Sequence, residues 1–220
     1  MQSKEKENKN KKKRLKKSWL IIAGSFLFVL GSGLLSFEYI EPVVEEHFEK
    51  EAIEEFFKEE EMVEEKKDNL ETVEVKQEET VKTKSKYEYI AVLKIPKINL
   101  EKGLVEKTSK YNSINYGVEI LKESDSPDVI NGNVILSAHS GTANISYFRN
   151  LDKLSVGDEA IIYYKGNTYK YKFVNIYDIE KTGKAKIKKE NNTSTLTLIT
   201  CRHNTNKQII LIAELQKEEL

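Results

Sequence analysis

Residues 195–201 read Thr195-Leu-Thr-Leu-Ile-Thr-Cys201, an aliphatic and β-branched stretch that ends in a cysteine. Its aliphatic and β-branched residues are typical of a strand, in which side chains alternate between two faces. On that alternation Cys201 shares a face with Thr197 and Ile199. A reactive group at a strand end is held by the sheet and stays open to substrate. The segment therefore predicts a strand that presents Cys201 at its end.

Cys201 is the only cysteine in the sequence. The presence of a single cysteine leaves two interpretations open: an inert buried side chain or a reactive thiol. A reactive cysteine needs a neighbouring base or cation, because a free cysteine is mostly thiol near pH 7. Residues 133–139, Asn133-Val-Ile-Leu-Ser-Ala-His139, form an apolar strand that ends in such a base. Because His139 lies far from Cys201 in the sequence, their meeting depends on the fold.

Residues 87–220 alternate short β-type runs with turns, which predicts a mainly β barrel or sandwich. Lys165-Gly166-Asn167 predicts a tight hairpin turn. Residues 147–154 favour a short helix. The predicted strands are Tyr89–Ile95, Gly132–Ser137, Asp158–Tyr164, Thr168–Ile179, Thr195–Cys201 and Gln208–Leu215.

The N-terminal part of the chain has the layout of a membrane anchor. Residues 1–17 are strongly basic, and residues 18–40 contain a long uncharged run flanked by Trp19 and Tyr39. About 20 apolar residues span a bilayer, and a basic flank stays cytoplasmic. A cleaved signal peptide is the rival interpretation, but its apolar region is shorter. We expect a single-pass signal anchor with residues 87–220 outside the cell.

Residues 41–86 predict a charged spacer, helical at first and flexible towards its end. Val44, Phe48, Ala52 and Phe56 form a thin apolar stripe at helical spacing. The simpler interpretation is a solvated helix. The alternative is a helix that docks on the catalytic domain or self-associates.

Several segments together resemble the sortase family. Residues 195–201 match the TLxTC signature of sortases, and the strand and histidine at 134–139 are similar to the family's histidine motif. Lys94-Ile-Pro-Lys-Ile98 and Tyr147-Phe-Arg-Asn-Leu151 agree as well. The resemblance extends over residues 87–215.

The resemblance implies a closed eight-stranded β-barrel and a cysteine transpeptidase of Gram-positive cell surfaces. Cys201 is then the nucleophile that cleaves an LPXTG-like sorting signal, and His139 is the general acid and base. The acyl-thioester passes to a peptidoglycan cross-bridge or precursor amine. The expected partners are surface proteins that bear a sorting signal, this amine, and the bilayer around residues 18–40. No nucleic acid is expected.

The third catalytic residue of the family is an arginine, and the sequence departs from the pattern here. Gln208 stands where that arginine is expected. Arg202 is the first candidate to replace it, because its charged guanidinium has a rigid set of donors. Lys207 is a further candidate. Thr200 and Gln208 are the predicted substrate-binding residues.

Two features favour the anchoring sortases of classes A, D and E over class B and pilus class C. The stretch between Ile179 and Thr195 is too short for the class B insertion, and residues 216–220 are polar. Two rival functions stay open, a cell-wall cysteine hydrolase and a sortase-like binding module without activity. His203 is the alternative to His139 as the base.

No cofactor is expected. Acidic residues near the predicted groove are compatible with Ca²⁺, which takes oxygen ligands, but their spacing does not fit a ligand set closely. No histidine and cysteine cluster indicates zinc. The acidic residues considered are Glu119, Glu123, Asp125, Asp128, Glu180 and Glu190.

Overall fold

The computed structural model describes residues 19, 24–29, 31, 46–60, 87–182, 187 and 192–216. The chain divides into two compact units, Met1–His47 and Phe48–Leu220. The predicted tail, residues 1–17, and most of the predicted anchor, residues 18–40, lie outside the described residues. Among the described residues, no helix is long and apolar enough to cross a membrane.

Eight strands form one sheet that is nearly closed into a barrel. They lie in the order β2-β1-β5-β6-β8-β7-β4-β3, and the outer strands β2 and β3 also contact each other. Neighbours are antiparallel except for the parallel pair β4–β7. The strands are β1 Tyr89–Ile95, β2 Leu100–Val105, β3 Glu119–Ile120, β4 Asn133–Ser137, β5 Glu159–Tyr164, β6 Asn167–Glu180, β7 Thr195–Cys201 and β8 Lys207–Leu215.

The core fills the inside of the barrel with alternate residues from each strand. Leu93, Ile162, Leu198 and Leu211 belong to this core and are fully buried. A second, smaller apolar cluster lies on the outer face of β4, β7 and β8. These three strands are therefore apolar on both faces, which is typical of strands that are covered on both sides.

Most of the predicted elements are present, with one exception. The hairpin turn joins β5 to β6, and both Lys165 (φ 51°) and Gly166 (φ 73°) adopt the left-handed conformation that such turns need. The short helix predicted over residues 147–154 is confirmed only in part. Only Leu151–Lys153 form a short 3-10 turn there, because the Phe148 amide donates to the distant His139 carbonyl (2.9 Å).

Residues 46–60 form a helix, and from residue 48 onward it belongs to the same unit as the barrel. Part of its apolar stripe is covered: Ala52 is buried and Phe56 is half-buried, whereas Phe48 is exposed and Val44 lies outside the described residues. Ile53, beside the stripe, is also buried. Phe57 packs edge to face on Tyr163 of β5, with ring centroids 4.9 Å apart. The Glu60 carboxylate accepts a hydrogen bond from the Gly166 amide (2.7 Å). The helix therefore docks on the barrel, the alternative interpretation of the stripe.

Candidate active site

Strands β4 and β7 run parallel as neighbours, so they end at the same edge of the sheet. Their register pairs Ser137 with Ile199. Two residues further along each segment the chain reaches His139 and Cys201. Both residues are half-buried. The topology therefore brings together the two predicted catalytic residues that are far apart in the sequence.

Two hydrogen bonds tie the histidine segment to the cysteine strand. The Thr200 hydroxyl donates to the Ala138 carbonyl (2.7 Å). The Ser140 hydroxyl donates to the Cys201 carbonyl. These bonds flank His139 on both sides along the chain, so its backbone follows the end of β7. Thr200 is buried and its hydroxyl is used within the protein.

Gln208 lies directly opposite Cys201 in the antiparallel pair β7–β8. Directly opposite residues of such a pair point to the same face of the sheet. Ile199 and Ile210, which share that face, belong to the outer apolar cluster. The outer face of the barrel therefore presents Cys201 and Gln208 side by side.

Arg202 is engaged away from this face. Its Nε donates to an Asp178 carboxylate oxygen (2.8 Å). Its amide donates to the Lys207 carbonyl (2.8 Å), so the strand register continues one residue past Cys201. By alternation Arg202 and Lys207 lie on the face opposite to Cys201. His203 is exposed in the turn that follows.

An apolar strip adjoins Cys201 on the outer face. It consists of Ile135, Ile199, Ile210 and Ile212, with Leu121, Tyr177, Ile179 and Ile187 packed against them. The first four come from the three strands that carry His139, Cys201 and Gln208. The strip was not predicted from the sequence, although the continuous apolar run 209–213 in β8 is the signal that both faces are covered.

The segment after His139, residues 139–148, is here called the histidine loop. The Arg149 guanidinium donates to the Ala143 carbonyl (2.7 Å) and to the Ser146 carbonyl (3.0 Å). The Ser146 side chain is buried. The loop closes on itself where the Phe148 amide bonds to the His139 carbonyl. These contacts give the loop a defined shape without regular secondary structure.

Comparison with known proteins assigns the family. The sortase-domain family model matches residues 93–216. The chain belongs to the sortase family. None of the curated proteins matches the sequence.

Solved sortases share its fold. Sortase D5, a transpeptidase of Clostridium perfringens, is 26% identical with a TM-score of 0.56, over 77% of this chain and 99% of that one. Sortase C of Clostridium perfringens, solved with the C-terminal cell wall sorting motif, is 25% identical with a TM-score of 0.51, over 59% and 71%. A lid mutant of sortase A from Corynebacterium diphtheriae is 23% identical with a TM-score of 0.54, over 62% and 74%.

Three of the six acidic residues of this sortase that are compatible with calcium have partners within the protein. Asp125 accepts from the Asn133 amide (2.8 Å) and Glu119 from the Ile114 amide (3.2 Å). Asp128 pairs with Lys165 (3.2 Å). Glu190 lies outside the described residues. Within the part of the chain that the structure describes, no three acidic, histidine or cysteine residues form a metal-binding group.

Proposed function

We propose that this sortase is a membrane-anchored cysteine transpeptidase that cleaves an LPXTG-like sorting signal and transfers the cleaved protein to a cell-wall amine. The parallel pairing of β4 and β7, which brings His139 to the strand end that carries Cys201, is the observation that carries the proposal. The structure of sortase C of Clostridium perfringens with the C-terminal cell wall sorting motif supports the substrate class. The uncharged run within residues 18–40 supports an anchor.

In the first half-reaction, the Cys201 thiolate attacks the carbonyl carbon of the Thr–Gly bond. The tetrahedral intermediate collapses when the C–N bond breaks, and His139 donates a proton to the leaving amine. The products are an acyl-thioester on Cys201 and a free glycine amine. In the second half-reaction an incoming amine attacks the thioester, His139 accepts its proton, and the Cys201 thiolate leaves.

Gln208 is the donor that we assign to the reacting carbonyl oxygen. It is the one residue among Gln208, Arg202 and Lys207 whose register places it on the face of Cys201. Its amide donates neutral hydrogen bonds, which are about half as strong as those of a guanidinium. Negative charge on the oxygen of the tetrahedral intermediate is therefore stabilised by a dipole, where the family pattern supplies a cation.

We assign the apolar residues of the sorting signal to the strip beside Cys201. Ile199 and Ile210 lie on the same outer face as the thiol. Ile199 and Ile210 are already buried, so an extended peptide that crosses this face can bury its aliphatic side chains against the half-buried residues that cover them, such as Leu121 and Ile179, while its scissile carbonyl reaches the strand end. Such burial contributes about 25 cal/mol for each Å² of apolar surface removed from water.

The experiment uses the full-length chain in detergent with a panel of LPXTG-type peptides and a glycine-based or diamino acid nucleophile. We expect a peptide–amine product, and a thioester adduct on Cys201 detected by intact mass. Cys201→Ala forms no adduct. His139→Ala loses transfer, whereas His203→Ala, a matched change in the exposed turn, keeps it.

Two results would contradict the proposal. An absence of both adduct and cleavage across the peptide panel excludes the transpeptidase and favours a binding module. Cleavage that yields only the hydrolysed acid, at every amine concentration, identifies a hydrolase that uses the same two residues.

A further inference from the structure

Lys102, on the edge strand β2, lies between the docked helix and the histidine loop. Its ammonium donates to the Glu49 carboxylate at 2.5 Å and sits 4.2 Å from the centroid of the Tyr147 ring. The side chains of Lys102 and Glu49 are only 16% and 17% exposed. An ion pair and a cation–π contact that are shielded from water are stronger than their exposed counterparts.

The register explains why this ammonium depends on its partners. Lys102 is paired with the core residue Leu93, so its side chain starts on the inner face of the barrel. A cation there is stable only when it is paired. Glu49 of the helix supplies the charge, and the Tyr147 ring supplies a second attractive surface.

The Glu49 carboxylate is largely shielded from water. The Tyr89 ring lies on Gly103, where any Cβ would come within 2.5 Å of it. Burial raises the pKa of Tyr89, and the nearby Glu49 carboxylate raises it further. The contact between helix and barrel is therefore closely packed. Removal of the Glu49 or Lys102 charge from it changes the interactions of the neighbouring residues.

Tyr147 connects this contact to catalysis. It directly precedes Phe148, whose amide donates to the His139 carbonyl (2.9 Å). Phe148 itself is buried in the barrel core. The Lys102 contact that holds the Tyr147 ring in place therefore also holds Phe148. The hydrogen bond from the Phe148 amide in turn positions the backbone of His139.

We propose that Glu49 and Lys102 are positioning residues: the docked helix holds the Lys102 ammonium against Tyr147, and this contact fixes the histidine loop beside Cys201. Neither residue touches the reacting atoms. The kinetic part of the test rests on the proposed function, so a structural readout is measured beside it.

The structural readout is hydrogen exchange of the Phe148 amide in the full-length chain. Glu49→Gln and Lys102→Met should accelerate this exchange about tenfold, because the histidine loop opens more often once the Lys102–Tyr147 contact, here called the brace, is lost. Glu54→Gln, an exposed position on the same helix, is the matched control and leaves it unchanged. Unchanged exchange in both test variants overturns the proposal, whatever the activity.

The kinetic readout is peptide–amine transfer. Glu49→Gln and Lys102→Met should lower kcat about three- to tenfold with KM unchanged, since catalysis depends on the placement of His139. Lys102→Arg keeps both contacts and should restore kcat. If the unmodified chain transfers no peptide, the proposed function fails. The exchange measurement still shows whether Glu49 and Lys102 hold the histidine loop in place.

A charge swap distinguishes the effect of the Lys102–Tyr147 contact from the effect of helix docking through the Glu49–Lys102 ion pair. Glu49→Lys combined with Lys102→Glu keeps the ion pair but places a carboxylate against the negative face of the Tyr147 ring. We expect the thermal stability to recover, while Phe148 exchange and kcat stay at the level of Lys102→Met. Recovery of all three would show that docking alone matters and would overturn the role of the Lys102–Tyr147 contact.

Discussion

At the scale of single residues, the proposed donor to the reacting carbonyl oxygen is Gln208. The amide stands opposite Cys201, while the guanidinium of Arg202 is bonded to Asp178 on the other face. A shift of the β7–β8 register by one residue would turn Gln208 to the face away from the thiol, because side chains along a strand alternate with a period of two. In the proposed mechanism, position in the ladder, and not charge, therefore selects the donor.

Replacement of Gln208 tests this selection. Gln208→Ala should lower kcat/KM about 100-fold, the order of effect seen when one oxyanion donor is removed. Arg202→Ala should change it less than about fivefold, because only a half-exposed ion pair is lost. Peptide–amine transfer by the two variants gives the measurement. A larger loss in Arg202→Ala than in Gln208→Ala would return the role to Arg202.

Thr200→Val removes the hydroxyl that ties β7 to the Ala138 carbonyl next to His139. A buried carbonyl without its donor destabilises the fold by about 1–2 kcal/mol. We expect that loss in urea unfolding, together with a fall in kcat of about tenfold as His139 shifts relative to Cys201. Thr205→Val, in the exposed turn after β7, serves as the control. A stability loss without any change in kcat would limit Thr200 to a purely structural role.

At the scale of elements, the helix over residues 46–60 extends the catalytic domain beyond the barrel. Val92 of β1 points away from the core, since its neighbours Ala91 and Leu93 point inward, yet it is fully buried. Its cross-strand partner Tyr163 carries the ring that packs on Phe57. An outer face that is apolar and covered belongs to an interface, so the helix stabilises the domain.

Ile53→Ala tests that contribution. The side chain is 6% exposed, and its truncation should lower the free energy of unfolding by about 2 kcal/mol. Glu54→Ala changes the next, exposed residue and should stay within about 0.5 kcal/mol of the unmodified protein. Chemical unfolding of the unit measures both. Equal stability of the two variants would mean that the helix does not dock in solution.

At the scale of the whole molecule, side-chain contacts link segments of the barrel that are distant in sequence. Asp158, just before β5, accepts from the Lys97 ammonium (2.7 Å) and from the Ser155 amide (2.6 Å). Lys97 lies in the short turn between β1 and β2. The pair therefore links two turns that are far apart in sequence. The Lys97 ammonium and the Ser155 amide hold the pKa of Asp158 below its ordinary value.

Asp158→Asn should lower Tm by about 2–4 °C at pH 7, since the charge-assisted hydrogen bond is lost. A carboxyl whose pKa is lowered by folding stabilises the protein above its ordinary pKa of 3.8. That stabilisation disappears as the pH falls through the lower, folded-state value. Melting curves from pH 7 to pH 3 should therefore converge for variant and unmodified protein. A constant difference in Tm over this range would contradict the assigned pKa direction.

The fold class could be predicted from the sequence, and Cys201 and His139 of the candidate site could be singled out, because their signals are local. Alternation identified β7 with Cys201 at its end, and Lys165-Gly166 identified the hairpin by the φ values that it needs. The lone cysteine and the histidine after an apolar strand indicated the chemistry. Strand β2 was not predicted, because Glu101, Lys102 and Gly103 interrupt its β-type pattern.

The tertiary structure decided what the sequence left open. The parallel register of β4 on β7 brings His139 to Cys201, and no local pattern encodes a pairing between segments so far apart. The register of β7 on β8 turns Gln208 towards the thiol and Arg202 away from it. The sequence shows which side chains are able to react. Only the hydrogen-bonded ladder sets which of them share a face, because a register shift of one residue moves every side chain of a strand to the opposite face.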